Sequence, residues 1–329
     1  MKTRTLNGVE CAAIGLGCMS LSHAYGTPPS KADAQTLLNE ALDMGYSHLD
    51  TAALYGFGAN ETLIGDVLKA RRNEYFLASK CGMFKNDAGV REINGHPAMI
   101  RKTCEDSLKR LQTDRIDLYY LHRWDKNVPI EDSVGELSRL VEEGKILSIG
   151  LSEVSADTLR KAHAVHPIAA LQTEYSLWTR NPEIAVLDAC QDLGTTFVAF
   201  SPVARGFLTD VVKAYDELED KDIRRNMPRF YPENAPANLE LRAQVLTIAK
   251  EEGCSLAQLS LAWLLGRGEH ILPIPGTTSL DHLRENFAAT DMTLSAASYE
   301  KLDLIINQQT VQGTRYNAAT QKEIDTEEF

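Results

Sequence analysis

The sequence predicts an α/β protein whose parallel strands close into a (β/α)8 barrel. Three observations lead there. Short apolar β-type runs alternate with longer helix-patterned stretches along most of the 329 residues, and regular alternation implies a parallel sheet with right-handed crossovers. Several runs are almost continuously apolar, as strands covered on both faces are. Eight β-then-α units can be counted, which suggests closure; a doubly wound open sheet is the structural alternative. No composition shift or Pro/Gly/Ser linker divides the chain, so a single domain over 1–329 is expected.

The elements follow in order. The opening TRTLNGVECAAIGLG reads as a hairpin turning at Asn7-Gly8, a strong turn pair. Candidate strands are 46–52 (YSHLDTA), 75–80 (YFLASK), 116–122 (IDLYYLH), 147–153 (LSIGLSE), 169–176 (AALQTEYS), 195–202 (TTFVAFSP) and 270–277 (HILPIPGT). A weaker eighth is 287–292 (FAATDM). The first helical stretch, ADAQTLLNEALDMG, sets Leu37, Leu38, Ala41, Leu42 and Met44 on one side and stops at Gly45, a C′ glycine. Ser155 and Asn181 read as N-caps, and Pro97 and Pro182 stand where first-turn prolines stand. The stretch 207–238 is long, charged and proline-bearing, and is expected to be a lid or cofactor loop. Residues 309–329 form a C-terminal tail whose acidic end, KEIDTEEF, is expected to fray.

Charge narrows the function classes. The formal net charge of -12 argues against a general nucleic-acid or anionic-membrane surface, because phosphate binding needs clustered Lys and Arg. It leaves room for one small basic pocket. The cysteines at 11, 18, 81, 104, 190 and 254 form no CxxC and read as free thiols in a reducing compartment. The N-terminus lacks a convincing signal h-region, and no apolar run approaches about 20 residues. A cytoplasmic protein without a membrane partner is expected; the oligomeric state is not legible.

In a barrel, residues at the C-terminal ends of different strands converge on one face. Asp50, Lys80 and His122 end three successive strands, and Tyr55 follows the first in the loop DTAALYG. A tyrosine alone is a sluggish acid at neutral pH. An adjacent ammonium favours the tyrosinate, and a carboxylate holds that ammonium charged and oriented. A histidine near the same hydroxyl can hydrogen-bond a carbonyl oxygen. Together such groups protonate or polarise a carbonyl while hydride reaches its carbon. Taken singly each residue has a bland reading: a turn cap, a packing aromatic, a solvated strand end, a satisfied core histidine.

The segments LDTAALYGFGANE, ASKCG, DLYYLHRWD, IGLSEV, QTEYS, FSPVARGFLTD and PIPGTTSLDHLREN resemble the aldo-keto reductases in order and spacing, from about residue 4 to 310. The spacing of the last two looks most like the microbial and plant branch that reduces varied aldehydes and ketones. The resemblance implies a (β/α)8 barrel closed at the bottom by an N-terminal hairpin. It implies Tyr55 as general acid in reduction, Lys80 lowering its pKa, Asp50 pairing with Lys80 and His122 orienting the substrate carbonyl.

The resemblance also implies a cofactor site for NADPH, ahead of NADH. Ser152 and Gln172 match positions that hold the nicotinamide carboxamide. Glu153 stands where the family often has Asn, and a carboxylate can only accept from the amide. Phe200 takes the position that stacks on the nicotinamide. Ser201, Arg205, Gly206 and Leu208 match the segment around the pyrophosphate. Gly276, Thr277, Ser279, Glu285 and Asn286 match the 2′-phosphate and adenine site, with His282 in place of a frequent Arg. Tyr25, Met83 and Trp124 are candidates for the wall that receives a small-molecule carbonyl substrate.

Other patterns carry less. GLGCMS and GFGANE lack the third Gly or Ala of a dinucleotide fingerprint. HAVH (163–166) spaces two histidines by about a helical turn, without a further ligand motif, so no metal is expected. Two other functions stand beside carbonyl reduction. One is a cofactor-sensing subunit of the kind some aldo-keto-like barrels supply to channels. The other is a non-redox barrel hydrolase using Asp50 and His122.

Overall fold

Asn7 and Gly8 turn the chain with φ of 50° and 77°, the two left-handed conformations that a tight hairpin requires. They join β1 (Thr3–Leu6) to β2 (Val9–Ala12), with Leu6 opposite Val9. This computed structural model describes residues 2–86, 89–210, 212 and 214–329.

Eight parallel strands follow: β3 (Leu16–Gly17), β4 (His48–Asp50), β5 (Phe76–Cys81), β8 (Leu118–Leu121), β9 (Ile149–Ser152), β10 (Ile168–Glu174), β11 (Thr196–Phe200) and β12 (Ile271–Pro273). They lie side by side in chain order. The two edge strands meet. Gly15 N–H donates to Pro273 O at 3.0 Å, Gly17 N–H to Pro275 O at 3.1 Å, and Gly17 bridges Gly276 in parallel. A Cβ on Gly17 would lie 2.8 Å from Ile274 O, so only glycine allows this seam.

The first barrel strand is therefore β3. The expected strand at 287–292 is instead the end of α9 (Leu280–Ala288) and a 3-10 turn over Ala289–Asp291. Its apolar residues serve helix packing: Phe287 meets the Tyr46 ring at 4.5 Å, and Ala289 is buried. A short hairpin, β6 (Met83–Lys85) with β7 (Arg91–Ile93), extends beyond β5 and was not expected.

The opening hairpin closes one end of the barrel. Leu6 and Cys11 join Phe76, Leu118, Val198 and Leu272 in a buried cluster. Arg4 donates to Ile271 O and Leu265 O at 3.1 and 2.9 Å. Phe76, Leu118 and Ile271 are the first residues of their strands, so the strand ends with Asp50, Lys80 and His122 face the other way.

Helices cover the strands. In α1 (Lys31–Met44), Ser30 accepts from Asp33 N–H, Gly45 ends the helix at φ 104°, and Leu37, Leu38, Ala41 and Leu42 are buried. α2 (Ala59–Leu68), α3 (Pro97–Leu111), α4 (Ile130–Glu142), α5 (Ala156–Val165) and α6 (Val186–Leu193) follow in turn. Ser155 caps α5 as expected. Asn181 does not cap: it begins a 3-10 turn, and its side chain donates to Glu327 O at 2.9 Å. α7 (Ala235–Glu251), α8 (Leu256–Leu265) and α10 (Ala296–Ile305) complete the shell with α9, and α11 (Ala318–Gln321) lies in the tail. Among the described residues no helix is long and apolar enough to cross a membrane.

Two excursions matter for the site. The stretch 207–238, of which 211 and 213 lie outside the described residues, runs through three short 3-10 turns before α7. It reaches the loop after β3: Ile223 N–H donates to Ala24 O at 3.0 Å, Thr27 Oγ1 to Glu219 Oε2 at 3.1 Å, and the Arg224 guanidinium lies 5.4 Å from the Tyr25 ring centre. The C-terminal tail is not frayed. Asp325 bridges Val154, and its carboxylate accepts from Ser155 N–H, Ser155 Oγ and Thr158 Oγ1 at 3.2, 2.9 and 2.7 Å. Acidic residues at the tail's end thus occupy the N-terminus of α5, where a helix favours negative charge.

Candidate active site

Parallel strand ends bring the four polar residues together. Asp50 ends β4, and Lys80 is the penultimate residue of β5. His122 directly follows β8. Tyr55 opens a 3-10 turn in which Gly56 takes φ 57°. Lys80 is fully buried and Asp50 nearly so. Lys80 Nζ pairs with Asp50 Oδ1, donates to Thr51 O at 2.8 Å and lies 3.2 Å from Tyr55 Oη. The second Asp50 oxygen accepts from Gln172 Nε2 at 2.7 Å. The His122 ring stands edge-on to Tyr55, centroids 5.8 Å apart, and its Nδ1 has no protein partner.

A buried ammonium is tolerable only when paired and hydrogen-bonded. Burial pulls the Lys80 pKa down, but Asp50 and then Tyr55 outweigh it, and the pKa is raised. Lys80 is therefore a fixed cation. Burial pushes the Tyr55 phenol above its ordinary value; Lys80 pulls the other way and falls short. The pull expected of Lys80 is present, yet the net direction is upward, because desolvation of a tyrosinate costs more than this one pairing returns. Burial, then Arg123 and Lys80, hold His122 well below the ordinary histidine value. Its imidazole is neutral, so one ring nitrogen can donate without bringing a charge.

Above these residues opens a cavity of about 820 Å³, the size of a small-molecule or cofactor site. Asp50, Tyr55, His122, Ser152 and Gln172 line its floor. Phe200, Ser201, Arg205 and Gly206 line one side, with Gly276, Thr277 and His282 at the start of α9. Tyr25 and Met83 line it as well. Among the described lining residues Asp50 is the one carboxylate, against Arg91, Arg123, Arg205 and Arg224.

Residues 13–307 match the model of the aldo/keto reductase family. The chain belongs to the aldo/keto reductase family. It is 45% identical over 320 residues to the aldo-keto reductase yakc [NADP(+)] of Schizosaccharomyces pombe, covering 95% of this chain and 94% of that one. Among solved structures it is similar to the glycerol dehydrogenase AKR11B4 of Gluconobacter oxydans, with a TM-score of 0.84, 26% identity, and coverage of 92% and 94% of the two chains. A Klebsiella pneumoniae aldo/keto reductase in complex with NADP and acetate matches with a TM-score of 0.73 and 26% identity, over 96% of this chain and 99% of that chain.

Several residues singled out from the sequence of this family member stand away from the cavity wall. The Glu153 carboxylate takes both terminal guanidinium nitrogens of Arg315, at 3.0 and 2.8 Å, and also accepts from Glu174 N–H at 3.1 Å. It is buried and engaged by these partners. Leu208 is wholly buried in the core. Ser279 caps α9 by accepting from His282 N–H; Asn286 is buried and Glu285 half-buried on the same helix. Trp124 packs against the core and donates from Nε1 to Val128 O at 2.9 Å, and it is not among the residues that line the cavity.

Other residues escaped the sequence reading. Arg315 anchors the tail, and Tyr316, Asn317 and Thr320 bring it to the cavity. Arg205, which the sequence did single out, pairs with Glu174 at 2.5 Å and reaches Tyr316 Oη at 3.2 Å. Only the motif HRWD offered a local signal for Arg123, through its place after His122. Nothing local announces Arg315, whose partner is 162 positions away.

Proposed function

We propose that this protein reduces an aldehyde or ketone to an alcohol with NADPH, reversibly, with Tyr55 as general acid. The observation that carries the reading is the Lys80 ammonium, buried between the Asp50 carboxylate and the Tyr55 hydroxyl at the floor of a cavity. A structural ion pair has no need of a tyrosine hydroxyl at an open cavity; a proton donor does.

The lining suits a phosphate-bearing dinucleotide. It is rich in guanidinium groups, includes hydroxyls of Ser201 and Thr277, and takes in the first turn of α9, a helix end that favours anions. Ser20 Oγ, also on the lining, is a buried hydroxyl without a protein partner. NADPH supplies the hydride. Ser152 and Gln172 would hold its carboxamide end, Phe200 would stack on it, and Ser201, Arg205 and Gly206 would flank the pyrophosphate.

The rest falls to the chain's own side chains. His122, neutral, donates to the carbonyl oxygen and fixes it near Tyr55. Tyr55 gives its proton to that oxygen as negative charge builds there. Lys80, held charged by Asp50, stabilises the tyrosinate that results. Gln172 keeps Asp50 in place from the opposite side. In the reverse direction Tyr55 takes the alcohol proton.

Purified protein mixed with NADPH and para-nitrobenzaldehyde should consume NADPH only when the aldehyde is present. Absence of turnover with NADPH and NADH alike, together with NADPH binding seen by fluorescence quenching, would point to a cofactor-binding subunit instead.

A further inference from the structure

We infer that Arg123 makes this a site for carbonyl substrates that carry a carboxylate; the inference rests on the reading of the cavity as a carbonyl-reducing site. Of the four cavity arginines, three are already neutralised: Arg91 by Glu323, Arg205 by Glu174 and Arg224 by Asp222. Among the described residues Arg123 has no carboxylate partner, although it is 9% exposed. Its Nη1 donates to His122 O at 2.7 Å and to Ser152 Oγ at 3.4 Å, both neutral acceptors. Among the described residues its buried Nε has no acceptor, and the hydrogen bonds of the guanidinium all run from Nη1.

A guanidinium this far out of water is costly unless an anion meets it. Nearby carboxylates are otherwise committed: Asp50 to Lys80 and Gln172, Asp125 to Gly95 N–H and Asn127. The counter-charge is therefore left to a ligand. Arg123 lines the cavity with Tyr55 and His122, and its charge is felt by Tyr55, His122 and Tyr316. It thus stands at the reacting end of the site. A neutral amide such as the nicotinamide carboxamide could accept a hydrogen bond there but could not balance the charge. A substrate carboxylate does both, and a planar guanidinium is the group best matched to it.

The test compares 4-carboxybenzaldehyde with para-nitrobenzaldehyde, similar in shape and different in charge, in wild type, Arg123→Met and Arg123→Lys. The ratio of their kcat/KM values should fall at least about 30-fold in Arg123→Met, the scale of losing a buried charge partner, and recover in part in Arg123→Lys. Calorimetric titration of 4-carboxybenzyl alcohol and benzyl alcohol into protein saturated with NADP(+) should show preference for the acid in wild type and its loss in Arg123→Met. A ratio that shifts by less than about threefold, or a variant whose main defect is weaker NADPH binding, overturns the inference. So does a wild type that binds both alcohols alike. If neither aldehyde turns over, the reductase reading fails, and the titration still decides what Arg123 binds.

Discussion

Arg315 grips Glu153 with both terminal nitrogens, at 3.0 and 2.8 Å, and both side chains are buried. This pair ties the C-terminal tail to the end of β9, one residue from Ser152. Arg315→Met would leave a buried, uncompensated carboxylate, which typically costs about 3–5 kcal/mol. Urea unfolding should show that loss. Hydrogen exchange should show residues 316–327 losing protection before the barrel strands do. Restoration of most of the stability by Glu153→Gln in the same chain would tie the loss to this pair, whereas an unaffected tail in Arg315→Met would contradict its role as anchor.

In the proposed mechanism Lys80 is the cation that supports Tyr55 as proton donor. Lys80→Met should abolish measurable reduction and also destabilise the fold by about 3–5 kcal/mol, because Asp50 keeps its burial and loses its cation. Adding Asp50→Asn should recover stability without recovering activity. If the double variant were as unstable as the single one, the stability loss would lie in packing and not in the buried charge.

His48 offers a pH test independent of activity. Its ring is fully buried on β4, neither nitrogen has a partner among the described residues, and burial depresses its pKa to about 4. The unfolded chain takes up that proton near 6.5. Stability from the neutral ring is thus complete above about pH 6.5 and is lost as pH falls towards 4, by about 3 kcal/mol for this one group. His48→Leu should remove that component, so its stability relative to wild type should rise steadily from pH 7 to pH 4. A stability difference that is constant over this range would count against the buried neutral histidine.

Legibility followed the length of each signal. Seven of the barrel strands were visible because apolar runs of several residues mark strands buried on both faces. β3 was not, since Leu16 and Gly17 are too few to show a period and follow Gly15 within what reads as a hairpin. The run at 287–292 imitated a strand because Phe287 and Ala289 face the core from a helix end and a 3-10 turn. Asp50, Tyr55, Lys80 and His122 were legible as candidates because strand ends in a barrel converge. The engagement of Glu153 by Arg315 was not, since it depends on a tail that returns from far along the chain. The acidic tail read as frayed because composition carries no sign that its carboxylates would find the N-terminus of α5.

The measurement that tests the central claim most directly is NADPH consumption with para-nitrobenzaldehyde by wild type and Tyr55→Phe, with NADPH affinity measured alongside. The account predicts aldehyde-dependent consumption in wild type and a loss of about 100- to 10,000-fold in kcat for Tyr55→Phe, the range for removing a general acid, with cofactor binding retained. Undiminished turnover in Tyr55→Phe would contradict the assignment of Tyr55 as the proton donor.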